Sequence, residues 1–210
     1  MSAPAFRRRP PASDPFLTGE AQLRRLLQEH VGLLQQVTHL RASQPRAEHD
    51  HLTGLSTRPC FEARVVQELS RAEGNPSCRG SLVLIDVDEL HWARAHHGAA
   101  VGNRALRWVA KVLREGLRLS DVAGRGGDRF MALLCDTDSS GAAEVVGRLR
   151  AEIARAEGMR WFPSAVSVGV AAWPDDALTL SSLNAIASVR LLEDRQRRRA
   201  PRRPHLVLIP

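Results

Sequence analysis

A chain of 210 residues with 43% hydrophobic and 25% charged residues has enough apolar material for one core of ordinary domain size. It holds no apolar run of the roughly 18 residues that cross a membrane, and Cys60, Cys78 and Cys135 lack both metal-ligand spacing and the even number of a disulfide framework. The formal charge of +7 is nearly all arginine, with Lys111 the single lysine and no tyrosine in the chain. Without aromatics among the arginines, the basic runs at 7–9 and 195–203 read as solvated tails, not as a nucleic-acid or membrane surface. The N-terminal MSAPAFRRRPPASDPF has no apolar stretch of the kind a secretory signal requires. These features lead us to expect a cytoplasmic protein with reduced thiols.

Residues 1–19, rich in proline, serine and arginine, have the composition of a disordered arm. Over 20–43 the pattern changes. Leu23, Leu26, His30, Leu33, Val37 and Leu40 follow alternating steps of three and four, the seam of a coiled coil, and a homodimer through this segment is expected. The competing reading is one amphipathic helix lying on the domain itself. Gln44 and Pro45 end the segment, and a single domain is expected over 48–210.

That domain opens with DHLTGLSTRPCF (50–61), and helix-forming residues run over 61–72. A turn-rich loop, 73–80, leads into SLVLIDVD (81–88), an apolar run that reads as a buried strand delivering Asp86 and Asp88 at its end. A helix over 89–97 is broken by Gly98. A second, over 103–117, carries Leu106, Val109, Ala110 and Leu113 on one face. Next comes RLSDVAGRGGDRFMALLC (118–135): a short strand, a tight turn at Gly126 and Gly127, and a strand over 130–134. Set beside the 82–87 strand, this hairpin would bring Asp128 to Asp86. Further on, a helix over 140–157, a strand over 164–173, a helix over 178–193, a basic spacer (196–204) and an edge strand over 205–209 complete the chain. The order describes an α+β sandwich of helices around a mainly antiparallel sheet.

The ordered set DHLTGLSTRPCF, LIDVDEL (84–90), Gly98 with Gly102, RLSD (118–121), GGDRF (126–130) and SVGVAAWP (167–174) resembles the GGDEF domains of diguanylate cyclases, collinearly from residue 49 onward. The resemblance implies a palm-like fold of the nucleotidyl cyclase, ferredoxin-like kind. The signature is Gly126, Gly127, Asp128, Arg129 and Phe130, with Arg129 in place of the family's Glu.

Joining two GTP molecules requires metal ions to neutralise phosphate charge and activate a 3′-hydroxyl. By match, Mg²⁺ would be held by Asp86 and Asp128. The plainer reading of both is hydrogen bonding to nearby turn amides. A guanidinium at Arg129 competes with Mg²⁺ rather than binding it. The family's guanine-binding Asn and Asp are matched by Arg94, which has no acceptor, and by Asn103, which keeps one carbonyl oxygen. Its phosphate-binding Lys is matched by His91, and a second such Lys, in the last helix, by Glu193. Arg118 and Asp121 keep the R-x-x-D of the family's inhibitory site for cyclic di-GMP, with four residues before Gly126 where the family usually has five.

The expectation is a catalytically inactive GGDEF-like regulatory protein, without diguanylate cyclase activity. It would act through an unknown protein partner or by sensing cyclic di-GMP or GTP. The alternative is an enzyme of altered nucleotide cyclase chemistry, with Asp86 and Asp128 for metal and Arg129 for phosphate. A weaker alternative is a nucleic-acid-binding adaptor built on the arginine-rich segments.

Overall fold

The computed structural model of the chain describes residues 23–24, 26–31, 48–75, 77–155 and 165–199. It divides into two units, Met1–Arg46 and Ala47–Pro210. In the first, the described residues are helical, and Leu23, Leu26, Leu27 and Val31 are exposed. The arm at 1–19, the remaining heptad positions Leu33, Val37 and Leu40, and the edge strand expected over 205–209 lie outside the described residues.

The second unit runs β1 (Ser56–Thr57), α1 (Arg58–Glu73), β2 (Gly80–Val87), α2 (Leu90–His97), α3 (Ala99–Gly116), β3 (Val122–Gly126), β4 (Arg129–Cys135), α4 (Ser139–Ala154), β5 (Val166–Trp173) and α5 (Leu180–Arg199). The sheet order is β1-β3-β4-β2-β5. All pairs are antiparallel except β1 with β3. β2 is an interior strand, between β4 and β5, and is covered on both faces, which is why its sequence is a continuous apolar run and not an alternation. Its successive side chains enter opposite layers. Val83, Ile85 and Val87 pack with Leu106, Val109 and Leu113 of α3 and Leu149 and Ile153 of α4. Leu82 and Leu84 pack with Phe61 and Val65 of α1 and Leu183 and Ala187 of α5. Each layer is a sheet face covered by two helices, so the palm-like α+β sandwich expected from sequence is the fold found.

The helix boundaries follow local chemistry. Pro59 sits in the first turn of α1, where its missing N–H costs nothing. Asp138 caps α4 by accepting from the Gly141 amide at 2.9 Å. Gly98, at φ +85°, separates α2 from α3. Three details differ from the sequence expectation. β1, two residues long, is too short to leave a pattern. α3 begins at Ala99 and runs through Gly102, because one glycine inside a helix costs only about 1 kcal/mol. α5 continues to Arg199 and takes in residues 196–199, four positions that composition assigned to the spacer. Arginine and glutamine are good helix formers, so nothing stops the helix at residue 193.

Candidate functional site

The site is built where the ends of β2 and β4 meet. The last pair of the β3–β4 hairpin is Gly126 with Arg129, so the turn is Gly127–Asp128. Gly127 takes φ +65°, which a side chain would resist. One position along β4, Arg129 stands directly opposite Asp86 of β2. Its Nε donates to Asp86 Oδ1 at 2.8 Å and its Nη2 to Oδ2 at 3.2 Å. From α5, Arg195 Nη2 donates to the same Oδ2 at 2.7 Å. The hydrogen bond to Asp86, set against partial burial, raises the Arg129 guanidinium above its ordinary value. Asp128 is served from α2: Arg94 Nη1 donates to both its oxygens, at 2.7 and 2.8 Å. Three guanidinium groups therefore converge on two carboxylates. A cavity of about 430 Å³ opens over them, lined by Arg58, Asp86, His91, Asp128, Arg129 and Arg195.

The cation implied at Asp86 and Asp128 demands free carboxylate oxygens in a near-octahedral shell. The residues present do not fit it. Both oxygens of Asp86 accept from arginine, as do both of Asp128, and the signature position that would add a carboxylate adds Arg129. Among the described residues, no group of three or more His, Cys, Asp or Glu side chains is placed to hold a metal ion. Asp88, which follows β2, is turned to Ser167 of β5, whose hydroxyl donates to it at 2.6 Å.

The structure brings together Asp86, Asp128, Arg94, Arg129 and His91. Asn103, on α3, is not among the residues lining the cavity. Glu193, matched to a phosphate-binding position, is exposed and does not line the cavity, whereas Arg195, two residues on, lines it and bonds Asp86. With 100° between residues, a two-residue offset on a helix moves a side chain to another face. Asn184 and Ser188 of α5 also line the cavity and were missed, as was Arg58 of α1. Their signal lies in spacing, since 184, 188 and 195 fall on one helical stripe.

The R-x-x-D pair is placed otherwise. Asp121 Oδ2 accepts from the Arg118 amide at 3.0 Å and Oδ1 from the Cys135 amide at 3.2 Å, so this carboxylate closes the turn that leads into β3. Both residues line a separate cavity of about 280 Å³, next to Leu119, whose side chain is fully exposed. In the DHLT segment, Asp50 Oδ1 accepts from the Thr53 amide at 2.9 Å, the Thr53 hydroxyl at 2.6 Å and Arg125 Nη1 at 2.7 Å. Burial opposes ionisation of Asp50, but the Thr53 hydroxyl and Arg125 outweigh it and hold the carboxyl below its ordinary range.

Comparison with known proteins identifies the family and the fold. The family model of the diguanylate cyclase GGDEF domain matches residues 47–201. An uncharacterised signalling protein of Caulobacter vibrioides is 32% identical over 150 residues, which is 69% of this chain and 18% of that protein. The chain spans less than half the length of the curated relatives it matches. Among solved structures, a sensory box/GGDEF family protein from Caulobacter crescentus superposes with a TM-score of 0.65 at 30% identity, covering 72% of this chain and 99% of that one. The diguanylate cyclase SiaD from Pseudomonas aeruginosa, solved in complex with its activator SiaC, gives a TM-score of 0.65 at 26% identity, covering 85% of this chain and 71% of that one. No helix among the described residues is long and apolar enough to cross a membrane.

Proposed function

The chain belongs to the diguanylate cyclase GGDEF family, and we propose that within it this is a catalytically inactive regulatory member, acting by protein contacts or by sensing a nucleotide. The observation that carries this reading is the pair of guanidinium groups, Arg129 and Arg195, bonded to Asp86. Phosphoryl transfer between two nucleotides needs a divalent cation to screen the phosphates and lower the pKa of the attacking hydroxyl. A guanidinium screens charge but cannot activate a hydroxyl in that way, and it is held here by its own fold. Arg94, bonded to Asp128, offers a guanine base no acceptor.

Two candidate modes of action remain with this reading. The exposed Leu23, Leu26, Leu27 and Val31 support self-association through residues 20–43, and SiaD, solved in complex with its activator SiaC, is a precedent for a relative that binds a protein partner. Light scattering on the full chain should give a dimer, and Leu26→Asp with Leu27→Asp a monomer; a wild-type monomer would remove this mode. Cyclic di-GMP sensing rests on Arg118, because Asp121 is spent on backbone amides.

The test of inactivity is direct. Purified protein is incubated with GTP and Mg²⁺ or Mn²⁺, and the products are separated by chromatography. No cyclic di-GMP should form. Turnover that Asp128→Ala abolishes would refute the proposal.

A further inference from the structure

α3 turns one face into the core, with Leu106, Val109, Ala110 and Leu113 buried, and the opposite face to solvent. Arg104, Arg107, Lys111 and Arg114 are all exposed and stand on that outer face, at steps of three, four and three. This spacing sets them in one row along about 15 Å of helix, each within about 6 Å of the next at Cβ. Glu115 is the single acid of the helix, and its carboxylate stands 4.0 Å from Lys111 Nζ. Elsewhere the fold pairs its arginines closely: Arg58, Arg94, Arg125 and Arg190 each meet a carboxylate at 2.7 Å or less. Among the described residues, Arg104, Arg107 and Arg114 have no ion-pair partner. Like charges three and four residues apart oppose one another on a helix. The row therefore carries a repulsion that a countercharge from outside the fold would relieve.

We propose that this face of α3 docks an acidic helical segment of a partner protein, whose carboxylates repeat at the same three- and four-residue steps. The inference rests on the reading of the chain as a regulatory protein acting through protein contacts, and it names the surface and the chemistry of that contact. A guanidinium takes a carboxylate through two parallel N–H donors, and two helices side by side keep such pairs in step along their length. Other polyanions fit the row less well. A single-stranded nucleic acid stacks its bases on exposed aromatics. Trp108, the one aromatic of α3, is half-buried, its Nε1 donates to the Ile153 carbonyl at 3.2 Å, and Lys111 Nζ lies 5.6 Å from its ring centre. A helix resting on a membrane buries an apolar face in the interface, and the apolar face of α3 is already in the core. A second copy of the chain would bring the same cations.

The experiment is fluorescence anisotropy of the full chain with a labelled helical peptide that carries glutamate at i, i+3, i+7 and i+10 and no other charge. A second peptide of the same composition has its glutamates spread round the helix. The first should bind about fivefold or more tighter than the second, and added salt should weaken it. Arg104→Gln, Arg107→Gln and Lys111→Gln together should weaken it about tenfold, the loss of three exposed charge pairs. Arg202→Gln with Arg203→Gln should leave it unchanged. The three α3 side chains are exposed, so the triple variant is expected to melt as the wild type does. No binding of the first peptide, equal binding of the two, or binding that ignores the triple variant overturns the proposal. So does tighter binding, lost in the triple variant, of a 20-nucleotide oligothymidylate or of vesicles of phosphatidylserine and phosphatidylcholine. GTP turnover measured on the same samples separates the two readings. Turnover with α3-dependent peptide binding refutes inactivity and keeps this surface; no turnover and no α3 dependence does the reverse.

Discussion

Asp86 and Arg129 face each other directly across β2 and β4, joined by two hydrogen bonds of 2.8 and 3.2 Å. In this register Arg129, at the signature position where the resemblance implies Glu, reaches Asp86, the carboxylate that the same resemblance matches to a metal position. The substitution therefore does more than remove a ligand: it supplies a cation from within the sheet, and Arg195 adds a second from α5.

Arg129→Glu tests that arrangement. It places like charges opposite one another in an antiparallel pair, which is destabilising. Because Arg129 is 43% exposed, the loss should be about 1 kcal/mol by urea unfolding. Restoring the signature letter should not restore cyclic di-GMP synthesis, since Arg94 still bonds Asp128 and Arg195 still bonds Asp86. Synthesis by the single variant would place the block at residue 129 alone.

A second pair carries stability rather than function. Arg125 is only 9% exposed and Asp50 16%, so Asp50→Ala strands a buried guanidinium and should cost about 3 kcal/mol. The same residue sets a pH dependence. Burial raises the Asp50 carboxyl, yet its bonds to Thr53 and Arg125 leave it below the ordinary 3.8. The Asp176 carboxyl is lowered chiefly by its hydrogen bonds to Arg190. A depressed carboxyl stabilises the fold above its unfolded value and loses that contribution as pH falls through the folded one. Urea midpoints should therefore hold between pH 7 and 5 and drop below about pH 4. Asp176→Asn should flatten part of that acid fall. A midpoint that falls between pH 7 and 5 would assign the dependence to other groups.

Packing makes its own prediction at Gly169 of β5. A Cβ there would stand 1.9 Å from the Ala187 carbonyl oxygen and 2.5 Å from the Leu191 amide nitrogen, both backbone atoms of α5. Gly169→Ala must lift the helix that carries Arg195. It should cost about 3 kcal/mol or more and loosen the Asp86 cluster with it. Wild-type unfolding by urea would mean that α5 yields easily.

Much of the fold was legible because it rests on local patterns. The continuous apolar run of β2, the glycines of the hairpin and the apolar face of α3 each specify an element without reference to the rest. The candidate site was legible in its carboxylates and less so in their partners. Asp86 and Asp128 could be placed from strand order, but Arg94 lies 34 residues from Asp128 and Arg195 lies 109 from Asp86. Which guanidinium meets which carboxylate is decided by how α2 and α5 pack on the sheet. Motif spacing pointed to Glu193, whereas helical periodicity from Asn184 and Ser188 points to Arg195. The role of Asp121 was hidden for the same reason, since its partner amide at Cys135 is on the next strand.

The most direct measurement is a Mn²⁺ titration of the full chain without nucleotide, followed by electron paramagnetic resonance of the free ion. With Asp86 and Asp128 both occupied by arginine, no stoichiometric binding is predicted at micromolar Mn²⁺, and Asp86→Asn should leave the titration unchanged. One tightly bound Mn²⁺ per chain, lost in Asp86→Asn, would show that the guanidinium groups yield to a metal and would contradict the account.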